Sequence, residues 1–251
     1  MKKLHHVGFD DTHGAKYALL PGDPGRVEKI ARLLDNPRFY CQNREYTTWL
    51  GELEGETVMV ISTGMGGPST AICVEELKMA GLTTLVRIGT CGGMQKHVVA
   101  GNLIICTGAI RAEGTTREYM PIEFPAVPHI EVVNAMIAAS KTLPYETHLG
   151  IVHCKDSYYG QHNPGRMPVG YDLENKWEAW LKAGCLGSEM ESASLFIVSQ
   201  FLGLRAGCVL NVAANQEREK AGLENTRTFD TMPGIKLGIE SIRQMIRLDK
   251  K

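Results

Sequence analysis

The chain of 251 residues, 43% hydrophobic and 22% charged, is long enough for one large α/β domain and apolar enough for a substantial core, which excludes a disordered protein. A formal charge of −1 gives no overall pull toward nucleic acid or an anionic membrane, so any anion site must be local. Seven cysteines, an odd number with no Cys-x-x-Cys pair and several inside apolar runs, read as reduced, buried thiols rather than disulfides or a metal site. The leading "MKKLHHVGFDD" has no apolar h-region, and no run approaches the length of a membrane span, so the expected compartment is the cytoplasm.

In chain order, a strand at 17–20 leads into "PGDPGRVEKIARLL", where Asp23 suits an N-cap and Pro24 the first helical position. Val27, Ile30, Ala31 and Leu34 fall at the spacing of one buried helical face. Arg26 is misplaced there, because the helix dipole favours acidic residues in the first turn by ~0.3–1 kcal/mol. An anion bound at the Gly22 turn would turn that cation into a ligand. Residues 57–93 then read as strand, glycine turn ("GMGGPS"), helix from about 68 to 80 stopped by Gly81, and a second strand through "TTLVRIGTCGG". That is a βαβ unit. Further strands are expected at 103–106, 149–153 and 206–212, with an apolar helix at about 189–202. A last helix from about 233 carries Ile235, Ile239, Ile242 and Ile246 on one stripe. With no repeat and no linker, the expectation is an α/β fold: one domain over 1–251, with a central mixed, largely parallel sheet flanked by helices. Ligands in such sheets gather beyond the carboxyl ends of the strands, where the three glycine turns after 17–20, 58–62 and 85–88 can converge.

Dinucleotide, nucleoside triphosphate, zinc-hydrolase and serine-nucleophile motifs are all missing. Arg87 is more informative, since it sits inside an apolar strand where an unpaired guanidinium is costly to bury. Its partner is either a glutamate such as Glu45, Glu75 or Glu76, or an anion that it shares with Arg26 and Thr90. The segment "GSEMESASLF" places two carboxylates at the start of an apolar helix, and Glu191 falls on its inward stripe, to be satisfied by sugar hydroxyls or by an arginine. A loop, "KDSYYGQHNPGRM", joins tandem tyrosines to Gln161 and Arg166; it suits a planar heterocycle, and equally an ordinary surface loop.

Together these blocks, with "REYTTWLGELEG", "EFPAV" and "SEMESASLF" in the same order along nearly the whole chain, resemble the nucleoside phosphorylase family, and within it the branch that cleaves uridine. The resemblance implies reversible phosphorolysis of uridine to uracil and ribose 1-phosphate, with phosphate as nucleophile and an oxocarbenium-like transition state. It implies phosphate ligands at Gly22, Arg26, Arg87 and Thr90, with Arg44 supplied by a neighbouring subunit. Ribose contacts fall on Met190 and Glu191, joined by His6 from the adjacent protomer, and base contacts on Tyr158, Gln161 and Arg166. The reaction itself is carried by Arg87, Arg166 and Glu191. No cofactor is expected, although some relatives hold a structural monovalent cation, for which the matching positions are Glu45, Met65 and Ser69. Expected partners are uridine, phosphate and further copies of the chain, usually six with shared active sites, and neither nucleic acid nor membrane. Purine-cleaving relatives use an aspartate near the end of the strand corresponding to "VLNVAAN", where this chain has Asn215. Two features depart from the pattern: four residues, His162 to Gly165, separate Gln161 from Arg166, and Gln216 stands where some relatives have an arginine, with Arg218 nearby.

Overall fold

A computed structural model describes residues 3–251. Strands run at Tyr17–Pro21 (β1), Asp35–Asn43 (β2), Tyr46–Leu53 (β3), Glu56–Ile61 (β4), Thr84–Gly93 (β5), Leu103–Ala112 (β6), Thr147–Lys155 (β7), Gly187–Glu189 (β8) and Arg205–Asn215 (β9). Helices occupy Val27–Ala31 (α1), Gly67–Met79 (α2), Ile130–Ser140 (α3), Tyr158–His162 (α4), Gly170–Lys182 (α5), Ser192–Phe201 (α6), Gln216–Lys220 (α7) and Met232–Asp249 (α8).

The strands form one mixed sheet in the order β2-β3-β4-β1-β5-β8-β7-β6-β9, and a further pairing of β5 with β9 closes its second half into a ring. Pairs β1–β4, β1–β5, β5–β9, β6–β7 and β7–β8 are parallel. The antiparallel ones are β2–β3, β3–β4, β5–β8 and β6–β9. Strand β1 shows why the centre reads as continuous apolar sequence: Ala18 and Leu20 enter one core, Tyr17 and Leu19 the opposite one. The first core is covered by α2 and α6 through Val74, Leu77, Leu195 and Phe196. The second is covered by α1, α3 and α8 through Ile30, Val132, Met136, Ile235, Ile242 and Ile246.

Three local expectations are corrected. The helix after Asp23 is a single 3-10 turn, Pro24–Arg26, followed by α1, which stops at Ala31; its expected face of Val27, Ile30, Ala31 and Leu34 is buried all the same. The helix placed at 189–202 begins only at Ser192, because Gly187–Glu189 is a strand, and Glu191 stands at the N-cap with φ −132°. The turn read in "RIGTCGG" is a continuation of β5 to Gly93, since β9 offers partners that far. The β2–β3 hairpin, α3 and α5 have no counterpart in the sequence reading. Edge strand β2 is mostly exposed and shows no clean apolar period, whereas α5 carries Leu173, Trp177, Trp180 and Leu181 at helical spacing, a signal the sequence reading did not use.

Gly207 on β9 marks a close seat of α3 on the sheet. A Cβ there would lie 2.5 Å from Val132 Cγ1 and 3.0 Å from Met136 Cε of α3. Valine is stiff at χ1 and cannot swing aside. Gly207→Ala is therefore expected to cost ~1–3 kcal/mol of stability through overpacking. Urea denaturation checks it, and an unchanged midpoint contradicts it.

Candidate active site

Strands β1 and β5 are parallel neighbours, with Leu20 beside Arg87 and Pro21 beside Ile88, so the turn after β1 opens where Arg87 leaves the sheet. A Cβ on Gly22 would stand 3.7 Å from Arg26 Nη2 and 3.7 Å from Arg87 Nη1. The two guanidinium groups thus converge on one backbone turn that has no side chain. Asp23 Oδ1 accepts from Gly25 N at 2.8 Å and shapes this turn, while its other oxygen is 3.9 Å from Arg26 Nε. Gly89, two residues beyond Arg87 on the same side of β5, leaves the guanidinium room to lie along the strand: a Cβ there would be 3.0 Å from Arg87 Nη2. Arg26 Nη1, Arg87 Nη1 and Arg87 Nε are buried and have no hydrogen-bond partner among the described residues. Burial, and then repulsion from Arg87, pushes the Arg26 guanidinium below its ordinary value. A buried and a half-buried guanidinium side by side, both with spare donors, have the chemistry to hold an oxyanion.

On its other side Arg87 is held by carboxylates. Its Nη2 donates to Glu191, and Glu189 Oε2 lies 3.8 Å from its Nε. These partners replace the Glu45, Glu75 and Glu76 suggested by the sequence; Glu76 instead accepts from His6, and Glu45 from Ser69. Burial opposes the Arg87 charge, but Glu191, foremost among several opposing groups, helps hold it above the ordinary arginine value. Glu191 Oε1 also accepts from Gly66 N at 2.7 Å, which binds the β8–α6 junction to the glycine turn after β4. Glu189 serves the α6 N-terminus, accepting from the backbone N–H of Glu191 and of Ser192, each at 2.9 Å. Burial, and then the nearby Glu191, pushes its carboxyl up. Met190, between the two glutamates, is half-buried.

A second group of polar side chains adjoins these. Ser188 on β8 stands in register with His153 on β7. Its Oγ accepts from Lys155 Nζ at 2.7 Å, donates to Gln161 Oε1 at 2.7 Å and lies 3.2 Å from His153 Nδ1. Gln161 Nε2 in turn donates to Gln216 Oε1 at 3.2 Å. Lys155 is buried, a rare state for lysine without a carboxylate partner, and burial pushes its ammonium down against the pull of Glu189. Gln161 separates two cavities of about 720 and 740 Å³, the first lined also by His153, Lys155 and Trp177, the second by Gln216, Glu217 and Trp177.

The other residues singled out in the sequence lie elsewhere. Thr90 is exposed near the same end of β5 and makes no hydrogen bond through its hydroxyl among the described residues. Arg44 is exposed at the tip of the β2–β3 hairpin with φ +53°, a conformation that non-glycine residues seldom adopt. His6 is half-buried beside that tip; its Nδ1 is 2.6 Å from Glu76 Oε1, and Asn43 Nδ2 donates to its carbonyl at 2.7 Å. Tyr158 is 55% exposed, and Arg166 lies over the Tyr159 ring, its guanidinium carbon 5.4 Å from the centroid and outside both cavities that Gln161 lines. Glu45 Oε1 accepts from Ser69 Oγ at 2.8 Å, whereas Met65 is 85% exposed. Asn215 is fully engaged: Nδ2 donates to Gln95 and Val98 carbonyls, and Oδ1 caps α7. Arg218 is equally committed, to the carbonyls of Glu224 and Lys96.

Lys155 and Ser188 were given no role in the sequence reading, and Glu189 only that of a carboxylate at the start of the apolar helix. The one available signal is the lysine ending "GIVHCK", since a cation closing an apolar strand next to a candidate binding loop needs a reason to be buried.

A fold that gathers spare guanidinium donors, buried carboxylates and an amide network at adjoining strand ends defines a protein that holds an oxyanion beside a polar organic molecule. The sequence profile of the phosphorylase superfamily matches residues 16–232, and the chain belongs to that superfamily. It is 46% identical to the uridine phosphorylase of Treponema pallidum (strain Nichols) over 245 residues, covering 98% of this chain and 95% of the relative. With the uridine phosphorylase of Escherichia coli (strain K12) it shares 39% identity over 250 residues, covering 97% and 98%. The guanosine phosphorylase of Halorubrum lacusprofundi is 35% identical over 215 residues, with 86% and 85% covered.

Burial of the polar network has a consequence for stability. Burial, and then the charge of Lys155, pushes the His153 imidazole down to about 4 from an ordinary 6.5. Between those values the unfolded chain binds a proton that the folded chain refuses, so this contribution is complete above the unfolded value and is lost as pH falls toward the folded one. His153→Gln is expected to flatten the decline in urea midpoint between about pH 7 and about pH 5. Parallel declines in the two proteins exclude this origin.

Proposed function

We propose that residues 1–251 act as one catalytic domain that cleaves uridine with inorganic phosphate, releasing uracil and ribose 1-phosphate. The observation that carries this reading is the convergence of Arg26 and Arg87 on Gly22, where Arg26 Nη1 and Arg87 Nη1 are buried without a hydrogen-bond partner among the described residues. Hydrolysis has no use for such a site, whereas a phosphate dianion fills it with charge-assisted hydrogen bonds worth ~1.5–3 kcal/mol apiece. A phosphate oxygen attacks the sugar C1′ as the bond to the uracil N1 breaks, and the bonding pair leaves with the base. Glu191 takes ribose hydroxyls, with Met190 beside it, and Thr90 completes the phosphate end.

At the base end, Gln161 pairs with the polar edge of uracil, and Tyr158 stands at the mouth. The charge that gathers on the departing base is met by Lys155, which fills the part assigned to Arg166 in relatives with a shorter loop. Lys155 is one hydroxyl away from Gln161, while Arg166 is stacked on Tyr159. The engagement of Asn215 as a cap supports the pyrimidine reading, since the residue at that position is not an acid and cannot protonate a purine N7.

Arg44 and His6 are exposed or half-buried at one hairpin end, which supports their donation to a neighbouring copy in a homo-oligomer. Among the described residues no helix is long and apolar enough to cross a membrane. All seven cysteines are free thiols, which agrees with a reducing cytoplasm.

Uracil release, followed by ultraviolet absorbance, is expected only when phosphate is supplied; phosphate-independent release, or preferred cleavage of guanosine, overturns the assignment. Arg26→Ala is expected to raise KM for phosphate ~10-fold or more, with a smaller change for uridine. Lys155→Met is expected to lower kcat by ~10²–10³, the scale for removing one preorganised charge stabiliser. Mixing the inactive variants Arg44→Ala and Glu191→Ala is expected to restore activity if sites are shared, and no recovery after subunit exchange argues against sharing.

A further inference from the structure

Resting on the reading above, a further specificity residue follows from the hydrogen-bond polarity around Gln161. An ammonium group has donors only, so the Lys155 contact takes one lone pair of Ser188 Oγ. The one hydroxyl hydrogen of Ser188 points to its nearer acceptor, Gln161 Oε1 at 2.7 Å, the usual length of an O–H···O bond. His153 Nδ1 lies 3.2 Å away and, in the tautomer that carries its proton on Nδ1, donates to the remaining lone pair. In that tautomer both Ser188 lone pairs are taken, and its hydroxyl donates toward Gln161, which presents its oxygen. On the other side, Gln161 Nε2 gives one hydrogen to Gln216 Oε1. A primary amide has two acceptor lone pairs and two N–H donors, so Gln161 retains one of each.

We propose that Ser188 is a positioning residue: oriented by Lys155, it locks the amide of Gln161 with one free acceptor beside one free donor, and so selects a uracil edge over a cytosine edge. Uracil presents N3–H as donor and O4 as acceptor, which complements that pair. Cytosine presents the reverse, an N3 acceptor and an N4 amino donor. A freely rotating glutamine would serve both bases by turning over, but here a flip sets Nε2 against a hydroxyl whose lone pairs are taken, and sets oxygen against the oxygen of Gln216. Rejection of the amino pyrimidine is thus built into a residue that does not touch the base.

The test compares kcat/KM for uridine and cytidine, with saturating phosphate, in the wild-type oligomer and in Ser188→Ala. The variant is expected to lower the uridine-to-cytidine ratio roughly tenfold or more, the scale of one reversed hydrogen-bond pair. Ser188→Thr, which keeps the hydroxyl, should retain the ratio. On a Gln161→Ala background, Ser188→Ala should change the ratio no further. Should Ser188→Ala fail to fold, Ser188→Cys, of similar shape but a weak donor, takes its place. A ratio unchanged in Ser188→Ala, with both substrates losing activity equally, overturns the lock and leaves the phosphorolysis reading intact. Absence of phosphate-dependent uridine cleavage in the wild type strikes that reading instead.

Discussion

A guanidinium buried in the middle of a sheet is the constraint around which the rest of the molecule is arranged. Arg87 lies on a strand whose neighbours in sequence, Val86 and Ile88, are fully enclosed, so water cannot solvate its charge. The protein compensates half of it. Glu191 and Glu189 approach one side, while Nη1 faces Gly22 without a partner. Full compensation would make a stable but inert ion pair. The half that remains is a standing requirement for an anion, and Arg26 strengthens it at the cost of repulsion between two cations.

That requirement explains features that look unrelated along the chain. Gly22 and Gly89 lack side chains where the guanidinium groups need room, and β1 must pair with β5 for the two turns to meet. The short strand β8 delays the start of α6, so that Glu189 can cap the helix and Glu191 can reach back to Arg87 and Gly66. Because Ser188 precedes these glutamates directly, one three-residue strand places both the contact to Gln161 and the carboxylates beside Arg87. Consecutive residues of a strand face opposite sides, which lets Ser188 address Gln161 while Glu189 addresses Arg87.

The charges are also partitioned. The guanidinium groups of Arg26 and Arg87 stand at one end, proposed for phosphate, and the ammonium of Lys155 at the other, proposed for the base, with the buried Glu189 and Glu191 between them. An oxocarbenium-like sugar would lie closest to the carboxylates, and the two anionic partners closest to the cations. Such preorganised placement requires no rearrangement of the protein as charge separates, which is where electrostatic catalysis gains its advantage over water.

Much of this was legible in the sequence. The strands of the central sheet, the βαβ unit and the stripe of Ile235, Ile239, Ile242 and Ile246 follow from periodicity and glycine punctuation, because burial on one or both faces imposes those patterns locally. Arg26 and Arg87 were conspicuous as cations where a cation is unfavourable, and Glu191 as a carboxylate on an apolar face. Partner choice was not legible, since Arg87 and Glu191 are 104 residues apart and only strand order brings them together. Nor was the closing of the sheet through β5 and β9, the length of β5, or the position of Lys155 one hydroxyl away from Gln161 while Arg166 stacks on Tyr159. Local chemistry announces that a buried charge needs a counterpart; which counterpart it meets depends on pairings between distant strands, and those are chosen by the packing of the whole chain.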